Sequence, residues 1–204
     1  MTRRKISCIA YVFAVAIAVA QTPAETKRIL DDAKRRQKEE ARPRVVRLPP
    51  SAFPGLPVPV IAELDRRGCT IPQFAGPATP NNIIRGEFAR PGQIDWAVLC
   101  SVNQTSSILV FWNGSAENPA EIEPLSDSIY LWTEDGIQGS PFGRSLSTAG
   151  ADYILAHNCI ANEPCPSAVP SPLDHQGIDD GIFDKASSIH YFHNGKWLKL
   201  AGSD

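Results

Sequence analysis

The run "SPLDHQGIDDGIFDKAS", residues 171–187, gathers more proton-handling side chains than any other part of the chain. Asp174 and His175 are adjacent, and Asp179 and Asp180 follow within a glycine-punctuated stretch that reads as a loop. A histidine oriented by a carboxylate is a general-base arrangement. His157, in "ILAHNC", reads as the end of a strand beside a cysteine. His157, His175 and one of Asp179 or Asp180 would make a two-histidine, one-carboxylate metal set. The same residues serve equally well to fix a loop, and their spacing does not choose between these roles. There is no G-x-S-x-G nucleophile motif. "GIQGSPFGRS" is glycine-rich but lacks the terminal lysine of a phosphate loop. Catalysis would therefore rest on His175, Asp174, Asp179, Asp180 and His157.

A second stretch, "GEFARPGQIDWAVLC" (residues 86–100), has the skeleton of a cation-binding loop that leads into a buried strand. Gly86, Phe88, Gly92, Asp95, Trp96, Ala97 and Val98 stand in the frame of an FG-GAP/VCBS-type repeat, the blade unit of integrin-like β-propellers, and residues 86–99 resemble one degenerate unit of it. The resemblance implies calcium ligands at Glu87, at the backbone carbonyl of Gln93 and at Asp95. Ala89 and Pro91 stand where that family places side-chain oxygens, and calcium requires six to eight oxygens. The expectation is a turn that has kept its shape without its cation. Gly92 would supply a positive φ, Pro91 would stiffen the turn, and Asp95 would brace it through backbone N–H groups. No cofactor is expected, calcium at Glu87, Gln93 and Asp95 being the alternative.

Trp96, Trp112, Trp132 and Trp197 would form either a sugar-stacking platform or part of the core. His190 and His193 flank Asn194-Gly195 and read as partly exposed hairpin residues.

These residues need elements to position them. "TPAETKRILDDAKRRQKEEA" reads as a charged helix, with Thr22 and Glu25 as a capping box and Pro23 at its first position. A proline-rich strap follows, then a short helix, "VIAELDRRG", stopped by Gly68. From Ile83 the texture becomes β: "IIRGEF", "DWAVLCS", "SSILVFW", "AEIEPL", "SSIHYFH" and "KWLKLAG", with Asn113-Gly114 and Asn194-Gly195 as tight-turn signals. "SIYLW" and "YILAH" lie between these blocks of strands. The expected fold is mainly β (α+β): an antiparallel sheet domain of hairpins, preceded by a charged helix and a proline-rich linker. The expected division is a leader at 1–20, helix and linker at 21–50, and one β-rich domain at 51–204.

The leader has a basic start (Arg3, Arg4, Lys5), an apolar run and Ala18-Val19-Ala20, the small-x-small form of a signal-peptidase site. Its loss would leave four cysteines, Cys69, Cys100, Cys159 and Cys165, in an oxidising compartment. Three pairings are possible; Cys159–Cys165 with Cys69–Cys100 is preferred, and zinc is the competitor. The net charge of −2 becomes −5 when those three basic residues go. Between Asn113 and Asp184 the only basic residue is Arg144, against twelve acidic ones, so the body is unsuited to nucleic acid. Membrane contact is expected only through the leader before cleavage.

The first functional expectation is a non-catalytic binding module, secreted or periplasmic, with a protein or glycan partner. A hydrolase or metal enzyme built on the Asp174/His175 run is the second. The third is a structural module docking through its basic arm, Lys27 to Arg47.

Overall fold

The structure is a computed structural model that describes residues 22–40, 45–74, 79–131, 142–160 and 164–203. The leader, Trp132 and most of "GIQGSPFGRS" lie outside the described residues. The chain divides into two units, Met1–Arg42 and Pro43–Asp204. The first contains α1 (Pro23–Glu40), whose capping box forms as expected: Glu25 N–H donates to Thr22 Oγ1 at 3.3 Å, and Thr22 N–H donates to Glu25 Oε2 at 3.0 Å.

The second unit is mainly β. Two antiparallel four-stranded meanders carry it. The first sheet runs β3 (Ile83–Gly86), β4 (Asp95–Val102), β5 (Thr105–Phe111) and β6 (Ala120–Ser126). The second runs β7 (Arg144–Ala149), β8 (Gly177–Ile182), β9 (Ser187–His193) and β10 (Lys196–Ala201). A small ribbon, β1 (Arg47–Leu48) with β2 (Ile71–Pro72), draws the end of the proline-rich strap into this body, so residues read as linker are part of the fold.

Strand alternation explains the layering. On β4 and β5, Val98, Cys100, Leu109 and Phe111 face a cluster with Phe53, Leu56, Val60 and Leu64, the last two from α2 (Val58–Arg67). Ala97, Leu99, Ile108 and Val110 face the opposite way, into a second cluster with Leu146 and Ile178 of the other sheet. The outer face of that other sheet packs Ile189, Tyr191 and Leu200 under Ile154 of α3 (Ala151–Asn158). The first sheet is thus buried on both faces, which is why "AVLC" and "ILVF" are unbroken apolar runs.

Three sequence expectations are corrected. "YILAH" is part of α3, so His157 sits on a helix and not at a strand end. The glycine-punctuated run containing Asp179 and Asp180 is strand β8. Asn113-Gly114 has the expected positive φ values, 50° and 67°, but lies in a short 3₁₀ turn leading out of β5. It stands in the connection from β5 to its antiparallel neighbour β6, while the β4–β5 hairpin turns at Asn103-Gln104, with φ 49° and 62°. Asn194-Gly195 does make the hairpin read from it, with φ 51° and 77°.

The cysteines pair as Cys69–Cys100 and Cys159–Cys165, across separations of 31 and 6 residues. The longer loop confines the unfolded chain more. Replacing Cys69 and Cys100 together by alanine is expected to cost about 3–4 kcal/mol, against about 2 for the Cys159/Cys165 pair, measured by urea unfolding. Equal losses would show that loop closure is not the main contribution.

Candidate functional site

Asp95 opens β4 and is fully buried. Its carboxylate accepts four N–H donors. The backbone N–H groups of Phe88 and Ala89 reach Oδ2 at 3.1 and 3.0 Å. The Gln93 side-chain amide and the Asn113 backbone N–H reach Oδ1 at 2.8 and 2.7 Å. Two carboxylate oxygens offer about four lone-pair sites, so this set saturates the group. One side chain therefore ties the 87–93 turn to the start of β4 and to the turn after β5. Gly92 takes its positive φ of 77° at the tip.

This donor set does not fit a calcium site. A cation needs the same lone pairs that the four N–H groups occupy, and N–H dipoles present positive ends toward it. The Glu87 backbone is engaged elsewhere. Its N–H donates to Gln176 Oε1 at 3.0 Å, and its carbonyl accepts from Gln176 N–H at 2.8 Å, a clasp to the segment before β8. Gly86 is the close-approach point of that clasp: a Cβ there would lie 2.7 Å from Gln176 Oε1 and from the Phe88 ring.

Two solvent-open grooves flank the braced turn. One, of about 570 Å³, is lined by Gly55, Pro57, Arg85, Ile94, Trp96, Asn113 and Gly114. The other, of about 500 Å³, is lined by Arg90, Pro91, Gly92, Gln93 and Asn113. Asn113 belongs to both, so they form one continuous surface.

Between the sheets lies an ionic web that the sequence reading missed. Arg144, entirely buried, donates Nε and Nη2 to the two oxygens of Asp180 at 2.8 Å each. Its Nη1 and Nη2 also reach the carbonyls of Ser106 and Glu123 at 3.0 and 3.3 Å. A bulge explains why those carbonyls face inward: pairing between β5 and β6 shifts near Ser106, where Glu123 takes φ 49° and Pro124 has no N–H to give. The guanidinium carbon sits 4.9 Å from the centre of the Tyr130 ring, and burial pushes the Tyr130 phenol up to about 12. Burial works to raise the Asp180 carboxyl, but the neighbouring His190 at 3.6 Å and the two hydrogen bonds from Arg144 outweigh it and hold it below the ordinary value. Asp127 anchors the other end, accepting from Arg47 Nη2 at 2.5 Å, from Ser101 Oγ at 2.7 Å and from Ser106 Oγ. The signal was present in the sequence: a lone arginine in an otherwise acidic stretch is a candidate for a buried, paired cation.

Compared with known protein families, curated proteins and solved structures, the chain matches none. Its functional reading therefore rests on geometry.

That geometry separates the residues expected to do catalysis. Adjacent positions on β8 face opposite ways. Asp180 points inward to Arg144, with His190 Nε2 at 3.6 Å. His190 is buried, not partly exposed as expected from its hairpin. Asp179 points outward, its Oδ2 3.3 Å from Ser147 Oγ and 3.4 Å from the Tyr153 hydroxyl. His157 approaches only indirectly, its ring 4.3 Å from that of Tyr153 and its Nδ1 2.8 Å from the Tyr153 carbonyl. His175 stacks on Tyr191 with ring centres 4.2 Å apart, and its Nε2 is 4.0 Å from Asp174 Oδ1. Among the described residues, no three His, Cys, Asp or Glu side chains are grouped to hold a metal ion.

The tryptophans separate too. Trp112 and Trp197 stack with ring centres 5.8 Å apart, joined by Phe192, and pack against the inter-sheet core. Trp96, half-buried, packs against the α2-side cluster and also lines the larger groove. Gly55 and Gly114 border its ring, a Cβ at either lying 3.8 and 3.7 Å away. No described residue accepts a hydrogen bond from the Trp96 indole N–H.

Proposed function

We propose that this chain is an exported, non-catalytic binding module of the cell envelope or extracellular space, and that its binding surface is the pair of grooves around the Asp95 turn. The observation that carries this reading is the saturated Asp95 carboxylate. It makes a rigid, cation-independent support for a surface bearing a half-buried tryptophan that lines the groove, together with free polar groups. Rigid supports favour binding because little conformational freedom is lost when a ligand docks. The turn's likeness to a propeller-type repeat agrees with this: a loop once organised around a cation would now be organised by its own N–H groups.

Export is supported by the leader sequence and by the two disulfides, which belong to an oxidising environment. Among the described residues no helix is long and apolar enough to cross a membrane. The ion pairs of Asp180 and Asp127 are engaged in packing, whereas Arg85 and Arg90 on the grooves have no partner among the described residues.

The test is co-sedimentation of the purified disulfide-bonded protein with insoluble envelope fragments, wild type beside Trp96→Ala. The wild type should be retained, and the variant should be retained at least tenfold less at unchanged fold, judged by circular dichroism. Equal retention of both would overturn the assignment of the binding surface.

A further inference from the structure

We infer that the grooves take an anionic glycan, a saccharide chain bearing carboxylates, with Trp96 as the stacking platform and Arg85 and Arg90 as the carboxylate readers. The inference rests on the binding-module reading above and names its ligand class.

Among the described residues, Arg85 and Arg90 are the only charged ones lining the two grooves. Both are exposed, and neither has an ion-pair or hydrogen-bond partner among the described residues. Elsewhere in the body, arginines are engaged: Arg47 with Asp127, Arg66 and Arg67 with Glu63, Arg144 with Asp180. Two unspent guanidinium groups on one surface of a net acidic protein form a local positive patch. Guanidinium binds carboxylates with two parallel hydrogen bonds, which selects for planar anions.

Arg85 and Trp96 are directly paired across β3 and β4, which sets the cation next to the ring. Glycines at 55 and 114 keep side chains off the ring's borders, and the indole N–H is free to donate. A flat apolar ring with a donor at its edge suits a sugar ring, whose C–H face is apolar and whose rim is hydroxylated.

An acidic peptide would satisfy the arginines too, but the usual route for an extended peptide is strand addition at a sheet edge. Of this sheet's two edges, β3 and β6, the one that carries Arg85 beside the groove is β3, and both its ends are already engaged. Asn82 Nδ2 donates to the Arg144 carbonyl at 3.0 Å, Asn82 Oδ1 accepts from Leu146 N–H at 3.1 Å, and Glu87 is clasped by Gln176. Both grooves are open to solvent and share Asn113.

The experiment titrates oligogalacturonate into the protein and follows tryptophan fluorescence and heat, with neutral cello-oligosaccharide and poly-glutamate as parallel probes. The expected result is saturable binding of oligogalacturonate that weakens with salt. Binding should be roughly five- to tenfold weaker in each of Arg85→Gln and Arg90→Gln, and more than tenfold weaker in Trp96→Ala. Gly55→Leu supplies a second variant: it keeps every contact group, and Gly55 is not held at a positive φ, so loss of binding there reports a filled groove. Equal binding of cello-oligosaccharide, insensitive to both arginines, would overturn the anionic assignment. Equal binding of poly-glutamate would overturn the glycan assignment. No binding of any probe, while envelope retention still depends on Trp96, would overturn this inference and leave the binding-surface reading standing.

Discussion

Replacing Asp95 by alanine should destabilise the protein by on the order of 3–5 kcal/mol. The carboxylate is fully buried and receives four N–H donors, three of them from the backbone. Hydrogen bonds to a charged group contribute about 1.5–3 kcal/mol each, and an orphaned buried donor costs about 1–3. The sum is reduced because a vacated turn can relax and admit water. In a domain of this size the melting temperature should fall by about 10–15 °C, measured by differential scanning calorimetry. Asp95→Asn is a sharper probe of mechanism. It keeps size and one acceptor but turns an NH₂ toward two of the donors, so it should lose nearly as much as alanine. A loss below about 1 kcal/mol for both variants would mean that the turn is held by other contacts.

The second large effect belongs to the ion pair between the sheets. Arg144→Met should cost about 3–5 kcal/mol, because removing one partner leaves Asp180 buried without its main donors. The double variant Arg144→Met with Asp180→Leu should recover much of that, since burying a pair of charges is itself expensive. The pH dependence has a definite sign. The folded Asp180 carboxyl is held below its ordinary value, with Arg144, His190 and the Tyr130 ring around it. The unfolded state therefore binds more protons in the window between the folded value and about 3.9, so stability falls as pH falls through it. Unfolding free energy measured from pH 6 down to pH 2 should drop more steeply for the wild type than for Asp180→Asn. Parallel curves would contradict the assignment.

The contrast between Asp95 and Arg144 shows what a single sequence reveals. Asp95 was legible as a turn brace because its partners are close along the chain, at Phe88, Ala89 and Gln93. Its fourth donor, Asn113, comes from a neighbouring turn that only sheet pairing brings near. Arg144 was not legible in its role, since its partners Ser106, Glu123 and Asp180 are separated by long stretches of chain. The first sheet's inner strands were readable from apolar runs buried on both faces. Strands β7 and β8 were hidden, because "RSLSTA" and "GIDDGI" spend their inward positions on a salt bridge as well as on Leu146 and Ile178. Helix α3 was hidden because "YIL" has β-forming residues and the helix is only eight residues long. The catalytic set was proposed from adjacency in sequence, and a strand sends adjacent side chains to opposite faces, which separates Asp179 from Asp180.

The central claim is that the Asp95 carboxylate, filled by N–H donors, supports the binding surface with no cation. Calcium titration of the folded wild type, with melting temperatures in chelator and in millimolar calcium, tests it most directly. The account predicts no saturable heat and coincident melting curves, with the groove variants binding glycan weakly in either buffer. One calcium bound per chain, raising the melting temperature by about 5 °C or more and lost in Asp95→Ala, would contradict it.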